Sequence, residues 1–269
     1  MARNIERILI TGAAGGLGRV MRQRLKGQYR LVRLSDIQPM EAAQEGEEVV
    51  QCDLADGAAV EALCRDIDAI VHFGGYSREN DWPGILGPNI VGAINLWEGA
   101  RKAGTDRVLF ASSNHAIGLY RRSQRIDHLA PPRPDGRYGL SKAFGEDLAC
   151  LYAYKHGVRG FSMRIGTCFP EPMNARALSS WMSYADLERL IKVGLHADYV
   201  NEIVYGVSRN TRSWWDNSNA YRLGYDPQDD AEAFADKVGH IKSTDPLEED
   251  FQGGSFVPPE FAADPSQIP

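Results

Sequence analysis

Residues Arg7 to Arg19 read RILITGAAGGLGR. Ile8 to Ile10 is a continuous apolar run of the kind that makes a fully buried strand. Thr11 follows, then Gly12, Gly15 and Gly18 at intervals of three. In the next segment Leu17, Val20, Met21 and Leu25 recur at helical spacing. A strand, a glycine turn and a helix in immediate succession are how a doubly wound sheet holds a dinucleotide. Glycine lets the backbone approach a pyrophosphate, and the first helical turn offers unpaired N–H groups and the positive end of its dipole. The spacing is G-x-x-G-x-x-G rather than G-x-G-x-x-G, so the flanking strand and helix carry the argument.

Outward from this stretch, strands and helices alternate. Strands are expected at Tyr29–Leu34, Glu48–Cys52, Ala69–Phe73, Arg107–Ser113 and Gly160–Ile165, with helices at Gly57–Arg65, Ile85–Gly104 and Tyr138–His156. This order predicts the α/β class, a parallel sheet with right-handed crossovers. Past Gly166 the chain turns irregular, with helices expected at Tyr184–Ala197 and Ala231–Ile241. We therefore expect a dinucleotide-binding core over residues 1–168. Residues 169–269 form a small annex, not an independent domain, that closes the substrate pocket.

Composition narrows the function. The chain has 269 residues, 43% apolar and 25% charged, with a net charge of −6. That acidic balance argues against nucleic acid or an anionic membrane as the main partner. No apolar run approaches the roughly 20 residues of a membrane span, and MARNIERILI lacks a signal-peptide apolar region. Cys52, Cys64, Cys150 and Cys168 are far apart, with no metal-ligand spacing, and read as reduced thiols in a cytoplasmic protein.

Several polar residues stand at strand ends, where such sheets bind ligands. Asp36, 18 residues after Gly18, is near the spacing at which an acid meets the adenosine ribose hydroxyls. A carboxylate there repels a 2′-phosphate and favours NAD over NADP, although Arg33 is close in sequence. Asp53 reads either as an adenine contact or as a cap of the following turn. His72 reads as a core-strand histidine. Asn89 either supports backbone or faces solvent.

The sharpest chemical signal is Tyr138-Gly-Leu-Ser-Lys142. Spacing i to i+4 puts both side chains on one helix face. An ammonium beside a phenol is expected to lower the phenol's pKa, so that a phenolate can take a proton from a substrate hydroxyl as hydride leaves the same carbon. Ser112 and Ser113 end the preceding strand.

Together, Thr11-Gly12-x-x-Gly15-x-x-Gly18, Asp53, Gly74-Gly75, Ser112-Ser113 and Tyr138-x-x-x-Lys142 resemble the extended type of the short-chain dehydrogenase/reductase superfamily, over about residues 7 to 168. ITGAAGGLGR, VQCDLAD, FGGYS, FASSNHAIG, RPDGRYGLSK, RIGTCFPEP, WWDNS and FQGGSFV carry a closer resemblance, to the bacterial uronate dehydrogenase family. The resemblance implies a Rossmann fold and NAD-dependent oxidation of galacturonate or glucuronate at C1 to an aldarolactone. It implies Tyr138 as base, Lys142 as its electrostatic partner and Ser113 as a hydrogen bond to the reacting oxygen. The cofactor residues implied are Gly12, Gly15, Gly16, Leu17, Gly18, Asp36, Asp53, Leu54, Phe73, Gly74, Gly75, Asn89, Lys142 and Ile165. Ser77, Ser113, Asn114, His115, Tyr138 and Arg176 would meet the sugar acid. Read as residues alone, His115 is equally a structural histidine, and Arg176 a surface loop arginine. No metal is implied. A homo-oligomer is expected, because paired helices of this fold often form a four-helix interface.

One departure bears on the alternatives. Many extended members carry tyrosine-glycine shortly after the serine, where this chain has Ala116-Ile117-Gly118. That, and the short segment left after the last expected strand, weigh against a nucleotide-sugar epimerase or dehydratase. A non-catalytic NAD-sensing regulator would commonly lack the tyrosine or lysine; this chain has both.

Overall fold

The computed structural model describes residues 4–269. The first strand, β1 (Arg7–Thr11), is followed by α1 (Gly16–Arg24), β2 (Leu31–Asp36), β3 (Glu47–Gln51), α2 (Gly57–Cys64) and β4 (Ala69–His72). Then come α3 (Trp82–Ile85), α4 (Gly92–Ala103), β5 (Arg107–Ser113), α5 (Arg137–His156), β6 (Arg159–Ile165) and the short β7 (Thr167–Cys168). The chain continues through α6 (Ala177–Ser180), β8 (Trp181–Met182), α7 (Tyr184–His196) and β9 (Asn201–Gly206).

Seven strands form one sheet in the order β3-β2-β1-β4-β5-β6-β9, while β7 and β8 pair separately. β1 pairs in parallel with β2 and with β4, in a register that sets Thr11 beside Ser35 on one side and His72 on the other. The β2–β3 and β4–β5 pairs are also parallel. From β1 the chain builds to one edge through β2 and β3, then returns to build the other way from β4. The β1/β4 boundary is therefore the topological switch point, where open α/β sheets bind ligands.

The chain forms two compact units, each assembled from separate stretches. One contains the residues up to Ala111 with Phe144–Ser162 and Ile191–Glu202; the other contains Ser112–Ala143, Met163–Leu190 and Ile203–Pro269. The strands and helices β5, α5, β6, α7 and β9 each run from one unit into the other, so no single cut in the chain separates them. The core of the first unit joins Leu9, Ile70 and Val108 of the sheet to Val60, Leu96, Trp97, Leu148 and Tyr152 of the helices. The second unit has two smaller clusters, one around Ile117, Tyr120, Tyr205, Val207 and Trp215 and one around Leu178, Trp181, Ala231 and Val238.

Three sequence expectations about helices are corrected. The helix expected over Ile85–Gly104 is interrupted: a π-helical turn, Leu86–Val91, separates α3 from α4. Pro88 lies in that turn; it lacks an N–H and its ring clashes with the carbonyl four residues back, which disrupts regular α-helix. The helix expected over Ala231–Ile241 is instead a 3-10 turn, Ala231–Phe234, then one α-helical turn, Ala235–Val238. Finally, helical spacing groups Leu140, Phe144, Leu148, Leu151 and Tyr152 of α5 into one apolar stripe expected to face the core, yet Leu140 and Leu151 are 45% and 48% exposed. Its buried face carries Leu148 and Tyr152 together with small residues, among them Ala143, Gly145, Ala149 and Ala153. A Cβ added at Gly145 would stand 2.2 Å from the Phe110 ring, so only glycine lets the helix lie this close to β5.

The four cysteines are free, Cys52 and Cys64 fully buried and Cys150 and Cys168 partly so. No helix among the described residues is long and apolar enough to cross a membrane.

Candidate active site

In the first unit, the polar edge of the site is built at the C-terminal ends of β1 and β4. Gly12 has φ +69°, and a Cβ there would lie 2.6 Å from the Phe73 carbonyl carbon. A side chain is thus excluded both by conformation and by space. At Gly18 a Cβ would meet the Gly12 carbonyl oxygen at 2.2 Å, so this glycine brings α1 down onto the turn. Gly15 caps α1 without any side-chain hydrogen bond, its first turn holds no acidic residue, and the space around Gly16 is open. Leu17 stands in that same first turn. Uncapped N–H groups at the positive end of a nine-residue helix, with room above them, fit an anionic pyrophosphate.

Asp36 ends β2 beside this turn. Its Oδ2 accepts from the Ala14 N–H at 2.9 Å and its Oδ1 from the Gln38 N–H at 2.9 Å, so the carboxylate ties the glycine turn to the second strand. Arg33, the sequence neighbour that clouded the reading of Asp36, is spent elsewhere. Its Nε pairs with Glu48 at 2.7 Å and its Nη1 donates to the Leu63 and Arg65 carbonyls. Asp53 caps the following turn, accepting from the Ala55 N–H at 2.8 Å. The Leu54 carbonyl accepts from Asn95 Nδ2, and the Leu54 side chain is what a Cβ at Gly74 would strike. His72 is a buried strand residue, 2.6 Å from the Thr11 hydroxyl. Asn89, in the π-helical turn, is buried; its Oδ1 accepts from the Tyr76 N–H and its Nδ2 donates to the Tyr76 carbonyl. It thereby fixes the backbone from Gly75 to the exposed Ser77. Of the two readings left open by sequence, backbone support is the one realised.

In the second unit lie Ser113, Asn114, His115, Tyr138, Lys142, Ile165 and Arg176. Tyr138 and Lys142 occupy the buried face of the first turns of α5, with the Lys142 Nζ 5.5 Å from the centre of the Tyr138 ring. The expected lowering of the phenol is not found. Burial pushes Tyr138 up to about 12; a hydrogen bond with Ser113 opposes this, and the Asp135 charge adds to it. Burial also pushes Lys142 down to about 8. Desolvation outweighs the pairing that spacing suggested, because it disfavours the charged form of both groups at once.

Ser113, the last residue of β5, caps the next turn by accepting from the His115 N–H at 3.2 Å. With its amide oriented so that both atoms find partners, Asn114 donates to the Ile165 carbonyl at 3.1 Å and accepts from Arg176 Nη2 at 2.9 Å. Arg176 also donates through Nε and Nη2 to the Gln252 carbonyl, and through Nη1 to the Thr167 hydroxyl at 3.3 Å. Among the described residues no carboxylate stands within ion-pairing distance of it. Burial, aided by repulsion from Arg122, pushes the guanidinium down to about 10.

His115 is held on three sides. Its Nδ1 lies 2.7 Å from Asp135 Oδ2, its ring stacks on Phe256 at 3.8 Å between centres, and its edge meets Tyr138 at 5.7 Å. Sequence reasoning missed Asp135, Thr167, Gln252 and Phe256. Asp135 sits in a proline-rich loop and precedes a glycine, which reads only as a turn. Gln252 and Phe256 belong to an irregular tail, and their site partners, Arg176, Trp215, Arg121 and Gln124 for the one and His115 for the other, lie far away in sequence.

The fold, the glycine turn and the tyrosine–lysine helix define a class, and the chain belongs to the NAD dependent epimerase/dehydratase family, which its residues 8–219 match. Within that class the likeness is specific. The chain is 52% identical to the uronate dehydrogenase of Pseudomonas putida over 255 residues, 93% of this chain and 95% of that protein. A crystal structure of uronate dehydrogenase from Agrobacterium tumefaciens, a tyrosine-to-alanine mutant complexed with NAD, is 46% identical with a TM-score of 0.90, covering 94% of this chain and 97% of that one. The glucuronic acid dehydrogenase of Chromohalobacter salexigens is 47% identical with a TM-score of 0.91, covering 98% of this chain and 100% of that one.

Proposed function

We propose that this protein is an NAD-dependent dehydrogenase that oxidises hexuronic acids, galacturonate and glucuronate, at C1 to the aldarolactone. The observation that carries the reading is Arg176: a half-buried guanidinium beside Asn114, with no carboxylate partner among the described residues. A buried cation without a counter-ion is costly unless the ligand brings one. A uronate's C6 carboxylate supplies it, as a charge partner and as acceptor for the Nη1 hydrogen that Gln252, Asn114 and Thr167 leave over.

Each residue then has a defined task. The Gly12–Gly18 turn and the α1 N-terminus hold the pyrophosphate, and Asp36 takes the adenosine ribose. Arg33, committed to Glu48 and to two carbonyls, is not free to meet a 2′-phosphate, which supports NAD over NADP. The chemistry NAD supplies when bound is acceptance of a hydride at the nicotinamide ring. Tyr138 takes the proton from the C1 hydroxyl as the hydride departs from C1, and the lactone carbonyl forms in place of the C–O single bond. Ser113, hydrogen-bonded to the phenol, holds the same oxygen. Lys142 holds the nicotinamide ribose and favours the phenolate once it carries its proton. His115 and Ser77 meet the remaining sugar hydroxyls.

Two further assignments belong to this reading. The apolar side chains left exposed on the outer helices, including Ile94, Leu151 and Tyr154, support a homo-oligomer, and the free cysteines support a cytoplasmic location.

The test is NADH absorbance on mixing protein and NAD with galacturonate, glucuronate or galactose. NADH from both uronates and not from galactose is expected. No NADH from any of the three would overturn the reading and favour a nucleotide-sugar epimerase that recycles its cofactor in place.

A further inference from the structure

His115 is a hydrogen-bonding side chain with one nitrogen committed and one free. Its Nδ1 faces the Asp135 carboxylate, whose side chain is fully buried. A carboxylate only accepts, so Nδ1 must carry a proton, and in the neutral ring Nε2 is then an acceptor. Nε2 has no partner among the described residues and is not buried, while Phe256 stacks on the ring and Tyr138 meets it edge-on.

The chain is built to accommodate Asp135. A Cβ at Gly118 would fall 1.9 Å from Asp135 Oδ2, and one at Gly253 would fall 2.1 Å from it. Both glycines have ordinary right-handed backbone, φ −64° and −68°, so conformation does not call for glycine at either. Space for the carboxylate does. In the middle of this cradle Asp135 Oδ1 is buried with no hydrogen-bond partner among the described residues.

We propose that Asp135 is a positioning residue for the reaction: it fixes His115 in the Nδ1–H tautomer and turns Nε2 toward solvent as an acceptor for a hydroxyl of the sugar acid. The substrate in this statement rests on the functional reading above. The arrangement makes His115 selective for a hydroxyl that can donate.

The experiment compares Asp135→Asn, His115→Ala and the double variant. The asparagine is isosteric, but its amide can donate to Nδ1 and so reverse the tautomer. Each single change is expected to lower kcat/KM for galacturonate about 10- to 100-fold, mainly through KM, with the KM for NAD unchanged. In the His115→Ala background Asp135→Asn should cost no more than about twofold, because its effect passes through the histidine. Asp135 also pushes the Tyr138 phenol up, and an effect by that route would persist without His115. An undiminished penalty in the double variant, or wild-type kinetics for Asp135→Asn, would overturn the proposal. Nitrogen-15 histidine spectra of the ligand-free wild-type protein supply a readout independent of turnover and of any variant's folding. They should show His115 protonated at Nδ1 alone, and a proton on Nε2 would also overturn the proposal. Failure of the functional reading would show differently, as wild-type protein that makes no NADH from any uronate.

Discussion

The main-chain oxygen of Gln252 accepts hydrogen bonds from both Nε and Nη2 of Arg176, so the tail of the chain aims the guanidinium. Gln252 is itself fully buried. Its side chain accepts from the Trp215 indole at 2.7 Å and donates to the carbonyls of Arg121 and Gln124 at 3.0 and 2.9 Å. Three groups from two loops thus lock one backbone carbonyl in place.

Gln252→Ala should act on both stability and substrate. It leaves an indole N–H and two carbonyls unpaired, for a cost of about 2–4 kcal/mol, which lowers Tm by roughly 5–15 °C in a chain of this size. The KM for the uronate should rise severalfold while the KM for NAD stays put. Thermal melting and steady-state kinetics check both, and an unmoved uronate KM in a folded variant would break the link to Arg176.

Tyr138→Phe should cut kcat by about 10²–10⁴-fold, the usual worth of a positioned proton acceptor. NAD affinity, measured by fluorescence titration, should be nearly intact, because the ring and its packing remain. Near-normal turnover would remove Tyr138 from the chemistry.

Lys142 makes a pH-dependent prediction. Its pKa in the folded chain, about 8, lies below the ordinary value of 10.5, so the unfolded chain binds the proton more tightly. Below about pH 8 both states are protonated and the folded state bears the full cost of the buried charge. As pH rises toward 10.5 the folded state sheds the proton first and the cost fades. Lys142→Met should therefore change Tm most favourably, relative to wild type, near pH 7, with the advantage shrinking by pH 10. A gap in Tm that is constant with pH would contradict a depressed Lys142.

Asp36→Ala should weaken NAD about tenfold, by loss of the ribose contact and of the hydrogen bonds that tie Ala14 and Gln38 to the second strand. NADP should gain little in absolute terms, since Arg33 remains bound to Glu48. The ratio of kcat/KM values for the two cofactors is the readout; an unchanged ratio would refute the ribose assignment.

Local signals in the sequence were readable where the structure is itself local. The run Ile8–Ile10, the glycine triplet and the helix after it lie within one stretch, and each step depends on its neighbours. The tyrosine–lysine pair follows from one helical turn. The interruption of the helix at Pro88 was equally local and was overlooked because the apolar spacing continued on both sides of it. The buried face of α5 was misread for the opposite reason. Helix-to-sheet contact there depends on what is absent, a Cβ at Gly145, and hydrophobic spacing does not register an absence. The electrostatics of Tyr138 could not be read from spacing, because the direction of its shift is set by how deeply the turn is buried. The partners of Arg176 and His115 were out of reach for a further reason. Gln252 is 76 residues from Arg176, and Asp135 is 20 from His115, so only the folded chain brings them together.

The most direct measurement of the central claim is the discrimination between galacturonate and galactose before and after Arg176→Ala. The two sugars differ at C6, carboxylate against hydroxymethyl. If the unpaired guanidinium reads the carboxylate, the variant should lose about a hundredfold or more in kcat/KM for galacturonate, and any residual rate on galactose should stay as it was. An equal fall for both sugars, or none for either, would contradict it.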